Sequence, residues 1–186
     1  VGAVRWAALP APATPSSPTS ALQVRLQAGE PGQTCVTLIA AAKPAEVLAQ
    51  RCTYATVWAA SAAPAPDGRA LALAVQPLDG WRELWVFRAP QDGGKAWTID
   101  VLPPAAHEPG LGVIEFAGWA PGAKDRPGRL LTAREAISTD GRVQRRFETL
   151  ALDTLAVDKS ASTPQLLAAF ASHADAPWRR ATVVLR

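Results

Sequence analysis

The chain predicts a mainly β protein of antiparallel units, each of four short strands, with one short helix near the C-terminus. Three observations carry this. Apolar, β-prone runs recur along the chain, Asp-Gly or Pro-Gly pairs separate them, and the clearest run alternates with the period of two that a half-buried strand needs. The organising stretch lies between Trp58 and Leu102. There Ala70-Leu71-Ala72-Leu73-Ala74-Val75, Glu83-Leu84-Trp85-Val86-Phe87-Arg88 and Trp97-Thr98-Ile99-Asp100-Val101-Leu102 are parted by Leu78-Asp79-Gly80 and Gln91-Asp92-Gly93-Gly94. Asp and Gly tolerate the positive φ of tight hairpins, so the stretch reads as a meander.

Taken in order, residues 1–9 hold Val4 and Trp6, which suit a short strand. Residues 10–21 form a Pro/Ser/Thr/Ala-rich linker, since Pro10, Pro12, Pro15 and Pro18 forbid a regular ladder. Residues 22–186 form the β domain. It opens on the alternating Leu22-Gln23-Val24-Arg25-Leu26-Gln27, then Cys35-Val36-Thr37-Leu38-Ile39-Ala40, then Glu46-Val47-Leu48-Ala49-Gln50-Arg51-Cys52. If the last two runs are antiparallel neighbours, Cys35 near the start of one lies beside Cys52 at the end of the other, within bridging reach. A Cys35–Cys52 disulfide is therefore expected, and two buried reduced thiols are the alternative. With no His nearby, the pair does not make a zinc site.

Gly112-Val113-Ile114-Glu115-Phe116-Ala117-Gly118-Trp119, Arg129-Leu130-Leu131-Thr132-Ala133-Arg134 and Gln144-Arg145-Arg146-Phe147-Glu148-Thr149-Leu150 repeat the earlier order of strands and turns. The runs holding Cys35, Trp85 and Phe147 would be third strands of successive units. Their spacings of about 50 and 60 residues fall in the range of four-stranded propeller blades. Thr163-Pro164-Gln165-Leu166-Leu167-Ala168-Ala169-Phe170-Ala171 suits two turns of helix, with Ser162 or Thr163 as cap and Pro164 in the first turn. Residues 181–186 read as a final strand.

Pro66-Asp67-Gly68-Arg69 with Glu83-Leu84-Trp85-Val86, and Trp119-Ala120-Pro121-Gly122 without the Asp, resemble the repeats of TolB-type, Trp-Asp-repeat-like β-propellers over about residues 22–158. The chain departs from that pattern at Ala65, where the family usually has Ser. The resemblance implies antiparallel propeller-like blades used mostly as a rigid protein-binding platform, and sometimes as an enzyme domain or gate. A fourth blade from the Val4–Trp6 and Ala181–Leu185 segments, a piece of a larger propeller, and a small open β stack are the three ways to complete such an array.

At 186 residues, 48% apolar and 19% charged, the chain is that of a folded domain rather than a disordered one. The net charge of +3 comes from 15 Arg against 4 Lys, scattered rather than striped, which argues against nucleic acid. The densest groups, Arg142, Arg145, Arg146 and Arg179, Arg180, read as solvated. No apolar run is long enough for a membrane span. The chain starts at Val1 and contains no Met, which leads to the expectation of a removed signal peptide or of a piece of something longer. With a disulfide, export to an oxidising, periplasmic or secreted location follows.

No residues declare a catalytic, metal or cofactor site. His107 and His173 lack a nucleophile or a second ligand at useful spacing, and Gly110-Leu111-Gly112 lacks the strand-then-helix context of a dinucleotide loop. Asp79, Glu83, Asp92, Asp100, Glu115, Asp125 and Asp140 fall mostly at turns. Of the seven Trp, Trp85 and Trp119 are assigned to packing between sheets. Trp81, on a turn, and Trp97 are the candidates for partner contact, and a carbohydrate-stacking pair of these two has no other residue behind it. The expected function is a non-enzymatic binding or scaffolding subunit of an exported envelope complex. The alternative is the propeller portion of a larger enzyme or sensor.

Overall fold

A computed structural model of the chain describes residues 20–91, 94–106 and 110–181. The expected Val4–Trp6 strand, the linker up to residue 19, His107 and residues 182–186 lie outside them. The first sheet is an antiparallel β1 (Leu22–Ala28), β2 (Thr34–Ala40) and β3 (Lys43–Thr53). β4 (Thr56–Pro64), β5 (Ala70–Leu78), β6 (Trp81–Arg88) and β7 (Thr98–Leu102) form one four-stranded antiparallel meander. β8 (Gly112–Ala120), β9 (Arg129–Ile137), β10 (Val143–Ala151) and β11 (Val157–Ala161) form another. The two meanders, the second and third sheets of the stack, join into one eight-stranded sheet through a short parallel pairing of Trp81 with Gly112 and Arg82 with Val113, after which β7 takes β8's place beside β6.

Side chains alternate across a strand, so each meander can bury two faces. From the second sheet, Leu71, Leu73, Val75, Trp85 and Phe87 meet Leu22, Val36 and Leu38 of the first. On its other face, Ala72, Leu84, Val86 and Leu102 meet Ile114, Leu130 and Leu150 of the third. The third sheet's far face, at Ala117, Leu131 and Phe147, is covered by Leu167 and Phe170. The layers are thus sheet, sheet, sheet and a helical cover. The outer face of the first sheet is finished with polar groups: Arg25 donates to the Pro44 carbonyl at 3.2 Å, and Gln50 donates to the Thr37 hydroxyl at 3.1 Å.

Cys35 and Cys52 stand directly opposite in the β2–β3 register and are bonded. β3 begins at Lys43, ahead of the run expected from Glu46, and includes Pro44. As an edge strand it has no second neighbour to which Pro44 would have to donate. The disulfide closes a loop of sequence separation 17, so reduction is expected to lower stability by roughly 3 kcal/mol in the chain-entropy model. Thermal melts with and without a dithiol check this, and coincident curves would contradict it.

In β4 the register slips between Trp58 and Ala63. The Ser61 hydroxyl fills the gap, accepting from the Ala74 N–H at 2.8 Å and donating to the Trp58 carbonyl at 2.6 Å. The Ala63 carbonyl accepts from the Trp119 indole at 3.1 Å, tying the third sheet to the second. Trp85 and Trp119 therefore pack between sheets, as expected from the sequence.

The C-terminal region corrects the expectation of one helix. Pro164–Leu166 is a 3-10 turn, Leu167 is extended, and two helices follow: α1 (Ala168–His173) and α2 (Ala176–Ala181). Thr163 makes no side-chain cap, and Ala181 belongs to a helix, while the rest of the expected final strand lies outside the described residues. β8 bulges at Ala117, whose carbonyl accepts from the Asp175 N–H at 2.6 Å, while Gly118 bridges to Ala174. Phe147, Phe170 and Trp178 pack edge to face at 5.6–6.2 Å between centroids. A Cβ on Gly118 would lie 2.3 Å from the His173 carbonyl. Gly118→Ala is therefore expected to unseat the cover at a cost of about 2 kcal/mol, visible as faster hydrogen exchange in residues 164–181 than in the first sheet.

Candidate functional site

The Pro66-Asp67-Gly68-Arg69 turn sits at one end of the seam between the second and third sheets. Gly68 takes φ 69°, and its N–H closes the turn on the Ala65 carbonyl at 3.0 Å. The Asp67 carboxylate accepts from the Arg69 N–H at 3.0 Å, the local bond that favours Asp here. The Ala89 N–H donates to the Arg69 carbonyl at 2.8 Å, and the Arg69 guanidinium donates to the Pro90 carbonyl at 3.0 Å, so the end of β6 is laced to the turn.

Across the seam lie Pro127 and Gly128, ahead of β9, and Leu152 and Asp153, after β10. The Leu152 N–H donates to the Gly128 carbonyl at 2.9 Å. Between the two sides is a solvent-open cleft of about 280 Å³, lined by Asp67, Arg69, Arg88, Ala89, Gln91, Pro127, Gly128, Leu152 and Asp153.

Arg88, at the end of β6, holds the two sides together. Its guanidinium pairs with Asp100 of β7 at 2.9 Å and donates to the Leu152 carbonyl at 3.0 Å and to the Asp153 carbonyl. Its side chain is only 14% exposed, so Arg88 serves as a clamp. Arg69, Asp67 and Asp153 are different: none makes an ion pair among the described residues. The cleft thus gathers one unpaired guanidinium and two unpaired carboxylates beside the small apolar walls of Ala89, Pro127 and Leu152. It can hold charge of both signs.

No family model, curated protein or solved structure matches the chain in any of the three comparisons.

Trp81 is corrected. It is 1% exposed, buried where β6 meets β8, and offers no surface to a partner. Trp97 is half-buried and packs against the core between the first and second sheets. Trp81 begins β6, whereas Trp97 precedes Thr98, the partner of Arg88 at the other end of β6. The two are therefore roughly 20 Å apart along the strand, too far to stack on one sugar.

His173 is exposed at the end of α1. Among the described residues no group of three or more His, Cys, Asp or Glu could hold a metal ion, and no helix is long and apolar enough to cross a membrane. Asp100 and Glu115, grouped with turn acids in the sequence, are strand residues paired with Arg88 and Arg82. The Arg88 clamp was missed because Asp100 and the Leu152 carbonyl are distant in the chain. The Pro127-Gly128 pair was the one local signal of a second turn at this end.

Asp140 carries a titration signature in the β9–β10 turn. The Ser138 hydroxyl, then the Arg142 N–H, bond its carboxylate and hold it below the ordinary value of 3.8. A lowered carboxylate adds stability that is complete above that ordinary value and is lost as pH falls through the folded-state value. An NMR pH titration should show Asp140 protonating at lower pH than in a Ser138→Ala variant, and identical curves would refute the assignment.

Proposed function

We propose that the chain is a non-enzymatic binding or scaffolding subunit of an exported, envelope-located complex, and that its stacked sheets act as propeller-like blades of the TolB type. The observation that carries this reading is the double-faced burial of the second sheet: a four-stranded meander packed between two others is a rigid stack. Side chains in the seams are committed to packing and to ion pairs, which suits a platform better than a reaction centre. The Cys35–Cys52 disulfide supports an oxidising location. β1 to β3 would be three strands of a further blade.

A photoreactive residue at Gln91, beside the cleft, tests the reading in cells that export the chain. One discrete cross-linked protein partner, lost when the probe is moved to the polar outer face at Gln27, is expected. No discrete product from either position would overturn it. If the chain is instead the propeller portion of a larger enzyme or sensor, the cross-link will fall within one longer polypeptide.

A further inference from the structure

We propose that the cleft between the second and third sheets binds a small zwitterion of the amino-acid or dipeptide class, with its carboxylate on Arg69 and its ammonium group toward Asp67 and Asp153. Three features of the cleft point to that chemistry. The first is charge. Arg69 uses one guanidinium nitrogen on the Pro90 carbonyl and has no carboxylate partner among the described residues. Asp67 and Asp153 each hold one backbone N–H, of Arg69 and Thr154, and no cation. A purely anionic ligand would meet two carboxylates and a purely cationic one a guanidinium. Only a ligand carrying both signs answers all three.

The second feature is preorganisation. Arg88 is engaged by Asp100 and by the Leu152 and Asp153 carbonyls, so it holds the cleft's two sides at a set separation. Arg69 is tethered at Pro90 and by its own carbonyl to Ala89, which lowers the entropy lost when it engages a carboxylate. The third is size. About 280 Å³ lies at the lower edge of small-molecule sites and suits an amino acid or dipeptide better than a larger ligand. Leu152, Pro127 and Ala89 leave an apolar wall for one small side chain.

Because the cleft is open to solvent, each ion pair is weak, and a Kd of roughly 1 mM is expected for a dipeptide. The cleft keeps this property whether or not a protein docks on the stack.

The test is an amide NMR titration of the whole chain with Ala-Leu, N-acetyl-Ala-Leu, Ala-Leu amide and free leucine, repeated in Arg69→Gln and in Asp67→Asn/Asp153→Asn. All three substitutions are at exposed or half-buried turn positions, and retained spectra verify folding. Saturable shifts confined to residues 67–70, 88–91, 127–128 and 152–154 are expected with Ala-Leu, with about threefold to fivefold weaker binding when either terminus is blocked. Arg69→Gln should bind the free and amidated dipeptides alike, and the double Asn variant should bind the free and acetylated dipeptides alike. Free leucine binding as tightly as Ala-Leu would identify an amino acid as the ligand, and weaker binding would identify a peptide. The proposal is overturned if no saturable shift appears at the cleft, if blocked and free forms bind equally to the native chain, or if Arg69→Gln leaves the discrimination unchanged.

Discussion

Truncating Trp85 to alanine is expected to lower the unfolding free energy by about 3–5 kcal/mol, a large share of what a domain of this size holds. Trp85 is 2% exposed on β6, opposite Leu73 on one side and Val101 on the other. Its ring packs in the cluster formed with Leu22, Val36 and Leu38 of the first sheet. The Arg51 guanidinium lies over that ring at 4.7 Å, so the edge strand β3 is attached to the second sheet through the same side chain. Alanine leaves a cavity between two sheets that are each hydrogen-bonded internally and cannot collapse freely.

The indole N–H of Trp85 is buried without a hydrogen-bond partner among the described residues. Trp85→Phe, which keeps most of the ring and loses no hydrogen bond, should therefore cost much less, about 1–2 kcal/mol. Denaturant midpoints for the two variants, with half-buried Trp97→Ala as a comparison, measure this ordering. A Trp85→Ala loss below about 1 kcal/mol would mean that the first sheet does not depend on this seam.

The second large effect is at the other seam. Glu148 is 4% exposed and pairs with Arg134 at 2.6 Å, while Arg134 also donates to the Pro103 carbonyl beyond β7. Replacing Glu148 with alanine strands a guanidinium that is only 19% exposed and should cost about 3–5 kcal/mol. Much of that cost comes from leaving a charge unpaired, and the pair itself contributes less to stability. The double replacement Arg134→Met/Glu148→Leu should therefore recover most of the loss. A double-mutant cycle read by urea unfolding decides it: additive losses would show that the two side chains do not act together. If the cycle couples, the Arg134–Glu148 pair, through Arg134's bond to the Pro103 carbonyl, acts with the Arg88 clamp, the Arg82–Glu115 pair and the Trp119–Ala63 bond as polar ties between the meanders.

Much of this architecture was legible from the residues. The alternation from Leu22 to Gln27 and the Asp-Gly pairs at 67–68 and 79–80 depend on backbone preferences within a few residues, so strands and turns could be placed without knowing their neighbours. The Cys35–Cys52 pairing followed from the same local logic, because two adjacent antiparallel runs bring their opposite ends together.

What escaped the sequence was every decision made by a distant segment. Trp81 follows a turn and would be exposed in an isolated hairpin; it is buried because Gly112, far along the chain, pairs beside it. The cover of α1 and α2 was not legible as two helices, because six-residue helices have little stability of their own and too few residues to show a period. They form where Phe170 and Trp178 meet Phe147 and where the bulge at Ala117 leaves a carbonyl for Asp175. The cleft has the same origin. Its turn is written locally in Pro66 to Arg69, but its opposite side comes from Gly128 and Asp153. Local sequence sets backbone shape through steric and hydrogen-bond preferences, whereas burial and charge pairing depend on which surfaces the finished stack brings together.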